Sequence, residues 1–289
     1  MAARLINGKE IASALREDIK REVVEFVEKY GKAPGLSIIM IGDDPSSALY
    51  VANKQRQCLM VGIRSEVHRF PKDVAFEEVA AKIQGLNARA DVHGILIQLP
   101  VPNHLNSRNL LELVSPEKDV DGLHSKNVSA LYTGEPLIIP CTPLGVRHIL
   151  LTVVKSLEGL HVTIVGRSQI VGRPLAALLL KENCTVTHVH SRSKNWEELA
   201  VLSDIIVMAA GVPNLLSGRA VKEGAIVIDI GSTRVMNEEG VAVFVGDVEV
   251  NSVYPKAGYV SPVPGGVGPM TVAYLLKNTL DAAKRQEKK

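Results

Sequence analysis

Cysteine is scarce in this chain. Cys58, Cys141 and Cys184 are scattered and odd in number, which excludes a disulfide framework and suggests a reducing compartment. No CxxC or HExxH pattern occurs, so no metal site is expected. No run of apolar residues approaches the ~18 needed to cross a bilayer, and "LSIIMIG" and "VHGILIQLP" are far too short. The start "MAARLINGKEIAS" lacks the apolar core of a secretory leader and the basic, acid-poor stretch of a transit peptide. A cytoplasmic protein without membrane association is the expectation. Charge is nearly balanced, at +2, so composition makes no case for a nucleic-acid partner. The basic end "KRQEKK" reads as a solvated helix tail.

What is present is ample core material, with 46% hydrophobic residues in 289, enough for two medium domains. Short aliphatic runs alternate with helical periodicity. The first helix carries apolar Ile11, Leu15, Ile19, Val23, Phe26 and Val27, a capping pattern at Asn7 and Glu10, and a stop at Gly31. "LSIIMIG", "SEVHRF" and "VHGILIQLP" read as strands separated by helices. "HVTIVG", "TVTHVH", "DIIVMAA" and "AIVIDIG" form a second series. Strands this apolar, alternating with helices, indicate parallel sheets covered on both faces. The fold class expected is α/β, with two three-layer domains meeting near "CTPLG". The last helix begins near Pro269, beyond the second series, and packing back on the first domain would make that domain discontinuous.

"HVTIVGRSQIVGRPLAALLL" runs from strand through a glycine turn into a helix, the setting in which a helix N-terminus receives a phosphate. Its pattern is GxSxxxG, with Gly166, Ser168 and Gly172, rather than GxGxxG. The next strand ends in His190, Ser191, Arg192, Ser193 and Lys194, without the acid that grips a free ribose in NAD sites. Hydroxyl and cationic groups there, with Arg167 in the turn, suit a ribose phosphate and favour NADP. The alternative is that Arg192 and Lys194 only solvate a loop.

In "SSALYVANKQRQC", Tyr50 and Lys54 are spaced i, i+4 and share a helix face. The apolar stripe centres on Val51 and Cys58, and Lys54 lies roughly 60° from it at ~100° per residue. Partial burial would lower its pKa and let it accept or relay a proton. The plainer reading is a surface lysine snorkelling past Val51. Gln98 sits at the carboxyl end of a strand, where open α/β sheets bind ligands. "KDVDGLH" sets Asp119 and Asp121 in a loop, where they would hold a metal, grip an amino-pyrimidine edge singly, or form an Asx turn. "SPVPGGVGPMT", with three prolines and three glycines, is either a surface turn or a loop shaped to lie against a flat ligand.

In order along the chain, "YVANK", "ILIQLPVP", "EKDVDGLH", "PCTPLG", "VGRSQIVGRP", "EGAIVIDIG", "VGDV" and "PVPGGVGPMT" together resemble the bifunctional methylenetetrahydrofolate dehydrogenase/methenyltetrahydrofolate cyclohydrolase (FolD) family over nearly the whole length. The resemblance implies a folate-binding catalytic domain of residues 1–143 plus 265–289 and an NADP-binding Rossmann-like domain of 144–264. It implies NADP-dependent oxidation of 5,10-methylene-tetrahydrofolate to the methenyl form, then hydrolysis to 10-formyl-tetrahydrofolate, in one-carbon metabolism and purine biosynthesis. Lys54 would be the central cyclohydrolase residue, tuned by Gln98, with Tyr50 orienting the folate and Asp121 holding the pterin-like ring. Ser47, Leu99, Pro262, Gly265 and Gly266 would complete the folate contacts. Arg167 and Ser191 would take the ribose phosphate, and Thr142, Gly166, Ser168, Gly211, Ser232 and Thr271 the rest of the cofactor. A homodimer is implied. Two positions depart from the family: Gly231-Ser232-Thr233 replaces "GIN" near the nicotinamide, and Asn127-Val128-Ser129 replaces "NxG". No GxxxxGK[ST] phosphate loop of a fused ligase occurs. The alternatives are another two-domain NADP-dependent dehydrogenase, shikimate-dehydrogenase-like, and a non-catalytic folate or nucleotide binder.

Overall fold

The structure, a computed structural model, describes residues 2–236 and 240–288. Internal contacts divide the chain into two units, Ser13–Cys141 with Val272–Lys289, and Met1–Ala12 with Thr142–Thr271.

The first of these is built on a three-stranded parallel sheet. Its central strand β2 (Gly35–Ile41) pairs with β3 (Arg64–Phe70) on one side and β4 (Gly94–Ile97) on the other. Every residue of β2 is buried, as a strand covered on both faces must be. Its side chains alternate between two cores. Leu36, Ile38 and Met40 pack with Ile19, Val23 and Phe26 of α1 (Gly8–Tyr30), Val51 and Cys58 of α2 (Pro45–Val61), and Leu275, Leu276 and Leu280 of α10 (Val267–Gln286). Ile39 and Ile41 pack on the other face with Val79, Ile83 and Leu86 of α3 (Phe76–Ala88) and Leu110 of α4 (Ser107–Leu113). Each fully buried isoleucine contributes roughly 1.5–3 kcal/mol, so a polar residue at Ile38 or Ile39 would unseat the site strand. A short helix, α5 (Ser125–Thr133), follows the loop after α4.

Local signals set the helix ends. Glu10 N–H donates to Asn7 Oδ1 (3.3 Å), while the return contact runs side chain to side chain, from Asn7 Nδ2 to Glu10 Oε2 (3.2 Å). Gly31, at φ +69°, closes α1 through a bond to the Val27 carbonyl. Val27 itself lies 38% exposed at the edge of the expected apolar stripe. Asp44 caps α2 by accepting from Ser47 N–H (2.7 Å), and Gly62 (φ +83°) ends it.

The second unit carries a six-stranded, all-parallel sheet. Its members are β1 (Arg4–Leu5), β5 (His161–Val165), β6 (Thr185–Val189), β7 (Ile205–Met208), β8 (Ile226–Asp229) and β11 (Tyr259–Val260), in the order β1-β11-β8-β7-β5-β6. An antiparallel pair, β9 (Thr233–Met236) with β10 (Ala242–Val245), stands beside it. The helices are α6 (Cys141–Val153), α7 (Gly172–Lys181), α8 (Trp196–Ala200) and α9 (Val250–Val253). The chain steps from β5 outward to β6, then back across to β7. The carboxyl ends of β5 and β7 therefore flank a topological switch point, where doubly wound sheets bind ligands. The two-residue strands β1 and β11 pair as Arg4↔Tyr259 and Leu5↔Val260, which groups the first residues of the chain with this sheet. They are too short to carry a periodic signal.

Candidate functional site

Within the first unit, α2 carries Ser47, Tyr50 and Lys54 on one face. Val51 and Cys58 are fully buried, Ser47 is buried, Lys54 is half-buried and Tyr50 is 46% exposed. Lys54 is therefore not a snorkelling surface lysine. Its Nζ donates to Gln98 Oε1 at 2.8 Å. Gln98 follows β4 directly, is buried, and donates from Nε2 to the Leu99 carbonyl at 2.7 Å, which turns its oxygen toward the amine. Its backbone N–H is held by the Ile39 carbonyl (2.8 Å), so the sheet itself aims the carboxamide.

Asp121 supplies the charge beside Lys54. Burial pushes the Lys54 amine below the ordinary lysine range, and the Asp121 carboxylate opposes that fall. Burial likewise pushes Asp121 up, opposed by Lys54 and by a hydrogen bond from the Cys141 thiol. The neighbouring thiols stay neutral, since burial pushes Cys58 up to about 12 and Cys141 well above its usual value. An amine and a carboxyl shifted toward each other exchange a proton at less cost than the same groups in water. This is a proton-handling constellation on rigid elements.

The loop "EKDVDGLH" separates its two acids by role. Asp119 is buried and accepts from Leu123 N–H (3.2 Å), His124 N–H (2.8 Å) and Asn127 Nδ2 (2.8 Å). It is the turn-forming aspartate, with burial pushing it up to about 7. Lys118, also buried, donates to the carbonyls of Asn87 (2.8 Å), Arg89 (2.7 Å) and Leu86 (3.4 Å), closing the end of α3. Gly122, at φ +75°, passes so close to Pro140 that a Cβ would lie 2.6 Å from its nitrogen. Asn127, which keeps the first residue of the family's "NxG" while Ser129 departs from its glycine, also donates to the Pro116 carbonyl (2.9 Å) and so helps hold the loop. Lys118 and Cys141 stand inside the motifs "EKDVDGLH" and "PCTPLG" and Asn127 just after the first, but sequence reasoning gave none of them a role, since their partners are distant in sequence.

Within the second unit, the turn after β5 explains its own spacing. Gly166 has φ +122°, and a Cβ on it would lie 2.1 Å from the Ala209 carbonyl oxygen. A Cβ on Gly172 would lie 2.0 Å from the Gly166 oxygen. Ser168 Oγ accepts from Val171 N–H (3.2 Å) and Gly172 N–H (3.3 Å), so it caps α7 and leaves its own O–H to donate outward. The register Val165↔Val189 and the bond from Gly166 N–H to the Val189 carbonyl (2.9 Å) bring the turn at 166–168 beside that at 190–192. Arg167 and Ser191 are both exposed there. With no acid at the end of β6, this edge fits a phosphorylated ribose.

Thr142 and Thr271 face each other at 3.1 Å between their hydroxyls. Gly211 (φ +68°) follows β7, and its carbonyl accepts from Thr233 Oγ1 at 3.4 Å. Ser232 stands exposed just beyond β8. In the glycine-proline loop, Gly265 has φ +109° and Gly266 N–H donates to the Pro262 carbonyl (2.8 Å). A Cβ on Gly8 would lie 1.8 Å from the Gly266 oxygen. The loop thus needs its glycines for its own closure, and Gly8, which sequence reasoning passed over, is part of that closure.

Comparison with known proteins gives a consistent result. The model of the tetrahydrofolate dehydrogenase/cyclohydrolase catalytic domain matches residues 6–121, and that of the corresponding NAD(P)-binding domain matches residues 140–287. The bifunctional protein FolD of Gluconobacter oxydans is 47% identical over 98% of this chain and 93% of its own length. Among solved structures, FolD from Campylobacter jejuni superposes with TM-score 0.93 at 41% identity, covering 98% of this chain and 99% of that one. The Trypanosoma brucei methylenetetrahydrofolate dehydrogenase-cyclohydrolase, solved with NADP cofactor and an inhibitor, gives 0.96 at 38% identity with both chains fully covered. A shikimate dehydrogenase from Aquifex aeolicus reaches 0.53 at 13% identity over 88% of this chain and 98% of that one, which is likeness of fold alone.

Proposed function

The chain belongs to the tetrahydrofolate dehydrogenase/cyclohydrolase family, and we propose how its own residues divide that family's work. The protein is a bifunctional folate enzyme. It oxidises 5,10-methylene-tetrahydrofolate to the 5,10-methenyl form with NADP, and hydrolyses that product to 10-formyl-tetrahydrofolate. The shikimate-dehydrogenase-like alternative has only the distant likeness of fold behind it.

The observation that carries the residue assignment is the half-buried Lys54 amine held on Gln98 Oε1 beside Asp121. In the hydrolytic step, Lys54 takes a proton as water adds to the methenyl carbon and returns it as the carbon–nitrogen bond opens. General acid-base help of this kind contributes ~10²–10⁴-fold. Gln98 fixes the position of the amine and Asp121 sets its proton affinity while accepting from the amino-pyrimidine edge. Tyr50, exposed one turn before Lys54, orients the folate, with Ser47 and Leu99 beside it. Pro262, Gly265 and Gly266 contribute a further backbone surface for the folate.

The cofactor, when bound, accepts the hydride. Arg167 and Ser191 hold its ribose phosphate, and Gly166, Ser168, Thr142, Thr271, Gly211 and Ser232 hold the remainder. These groups bind and align rather than move protons, which suits a step whose electrons come from the folate nitrogens. The two contact units correspond in this reading to a folate domain and a cofactor domain. The reading extends to a cytoplasmic homodimer that feeds purine biosynthesis, for which the family resemblance is the support. No helix among the described residues is long and apolar enough to cross a membrane.

One spectrophotometric assay tests the assignment of activity. NADPH should form when the purified protein meets methylene-tetrahydrofolate and NADP+. A folded protein that binds both and forms none would be a binder, and one that instead oxidises shikimate would restore the alternative.

A further inference from the structure

Two buried aspartates outside the Lys54 constellation tie together the loops of the cofactor edge. Asp229, the last residue of β8, accepts from Gly231 N–H (2.9 Å), Asp247 N–H (3.1 Å) and Val248 N–H (3.0 Å). Asp247, two residues beyond β10, has no solvent exposure at all. Its Oδ2 accepts from the consecutive N–H groups of Ala210 (2.7 Å) and Gly211 (2.9 Å) after β7. Among the described residues its Oδ1 has no hydrogen-bond partner, and a Cβ built on Gly231 would lie 2.3 Å from it. Asp247 therefore touches two turns at once, the one after β7 and the one that leads into Ser232.

A buried carboxylate oxygen without a donor is unfavourable, and an uncharged side chain would serve the fold as well or better. What the aspartate provides is one acceptor oxygen that fixes two successive N–H groups, in a residue whose other edge bears on a second turn. The C-terminal end of β7 borders the switch point where such sheets receive a ligand, and β8 is the next strand of the sheet beside it. We propose that Asp247 is a positioning residue for hydride transfer: it clamps the Ala210–Gly211 turn against the Gly231–Ser232 turn in the geometry that receives the nicotinamide half of NADP. It touches neither substrate nor cofactor. The proposal rests on the assignment of Gly211 and Ser232 to the cofactor made above.

The test compares Asp247→Ala, Asp247→Asn and Gly231→Ala with the wild type in both half-reactions. Asp247→Ala should raise KM for NADP+ about tenfold or more and lower the rate of methylene-tetrahydrofolate oxidation, since small misplacements of a bound reactant cost up to ~10²-fold. Hydrolysis of methenyl-tetrahydrofolate, which uses no cofactor, should stay within about twofold. Asp247→Asn keeps one oxygen for the two N–H groups and should recover most of the NADP+ affinity. Gly231→Ala, which pushes on the Asp247 carboxyl and backbone nitrogen while leaving the Ala210 and Gly211 N–H donors in place, should reproduce the selective loss and serves if Asp247→Ala fails to fold. Unchanged oxidation kinetics in folded Asp247→Ala, or proportional loss of both activities in both the Ala variants, overturns the positioning role. Direct titration of NADP+ without folate separates this from the parent reading. A wild type that forms no NADPH sinks the parent reading, whereas the clamp stands or falls on the affinity of Asp247→Ala against wild type.

Discussion

Replacing Lys54 by methionine isolates the amine, because the two side chains are of similar length and only the nitrogen and its charge are lost. Among the described residues that nitrogen has one hydrogen-bond acceptor, Gln98 Oε1 at 2.8 Å, and one charged neighbour, Asp121. Losing the hydrogen bond costs about 1 kcal/mol of stability, and relief from burying an ammonium offsets part of it. Stability should therefore change little, while Asp121, without its cation, moves further up. Cyclohydrolase activity should fall ~10²–10⁴-fold, or roughly 3–5 kcal/mol in the barrier. Methenyl absorbance reports that loss, and NADPH formation reports the dehydrogenase, which should persist at a substantial fraction. The sign of the shift gives a second readout. A lysine whose amine is lowered by burial is neutral, and so able to take a proton, at pH values below the ordinary lysine range. The wild-type hydrolysis rate should rise along a limb in that region, and the methionine variant should lack it. Cyclohydrolase surviving within tenfold, or both activities falling equally, would refute the reasoning.

The cofactor edge and the acid loop yield two more expectations. Arg167→Ala should weaken NADP about 10–100-fold, the worth of a charge-assisted hydrogen bond, and leave NAD nearly unaffected; an unchanged NADP/NAD ratio in binding titrations would remove Arg167 from the phosphate site. Stability should fall as pH rises between about 4 and 7, because Asp119, pushed up to about 7, and Asp229, pushed up to about 6, stay protonated in the folded state after the unfolded chain has released those protons. For Asp119 the contribution is on the order of 4 kcal/mol, present below pH ~4 and lost by pH ~7. Melting curves of Asp119→Asn should show a flatter slope over that window, and an unchanged slope would contradict it.

Much of the architecture was legible because it rests on local period. The all-apolar β2, the helical stripe through Val51 and Cys58, and the stops at Gly31 and Gly62 are each visible within a dozen residues. Tyr50 and Lys54 follow from helix spacing, and Gln98 from its place at a strand's end. What escaped was set by distant backbone. The strands β1 and β11 exist because each finds the other across more than two hundred residues, not because two residues show a pattern. Gly8 must be glycine because of Gly266, and Gly166 because of Ala209. The Asp229–Asp247 clamp takes all its donors from backbone N–H groups, which every sequence possesses and none advertises.

Asp119 and Asp121 show why composition alone could not sort the acid loop. They are the same residue type, two positions apart, and burial pushes both upward. Among the described residues Asp119 meets three N–H donors and no cation, so its oxygens are committed to holding the turn. Asp121 meets an amine that can itself give up or take a proton, and a thiol that stays neutral. The first role costs the site nothing in chemistry and gives it rigidity; the second makes a proton mobile. A loop that places a committed acid beside an uncommitted one delivers Asp121 to Lys54 without letting it wander, and Lys118, closing α3 just upstream, anchors the approach. Function at this position is thus decided by which donors the fold brings to each carboxylate, one link beyond what residue identity records.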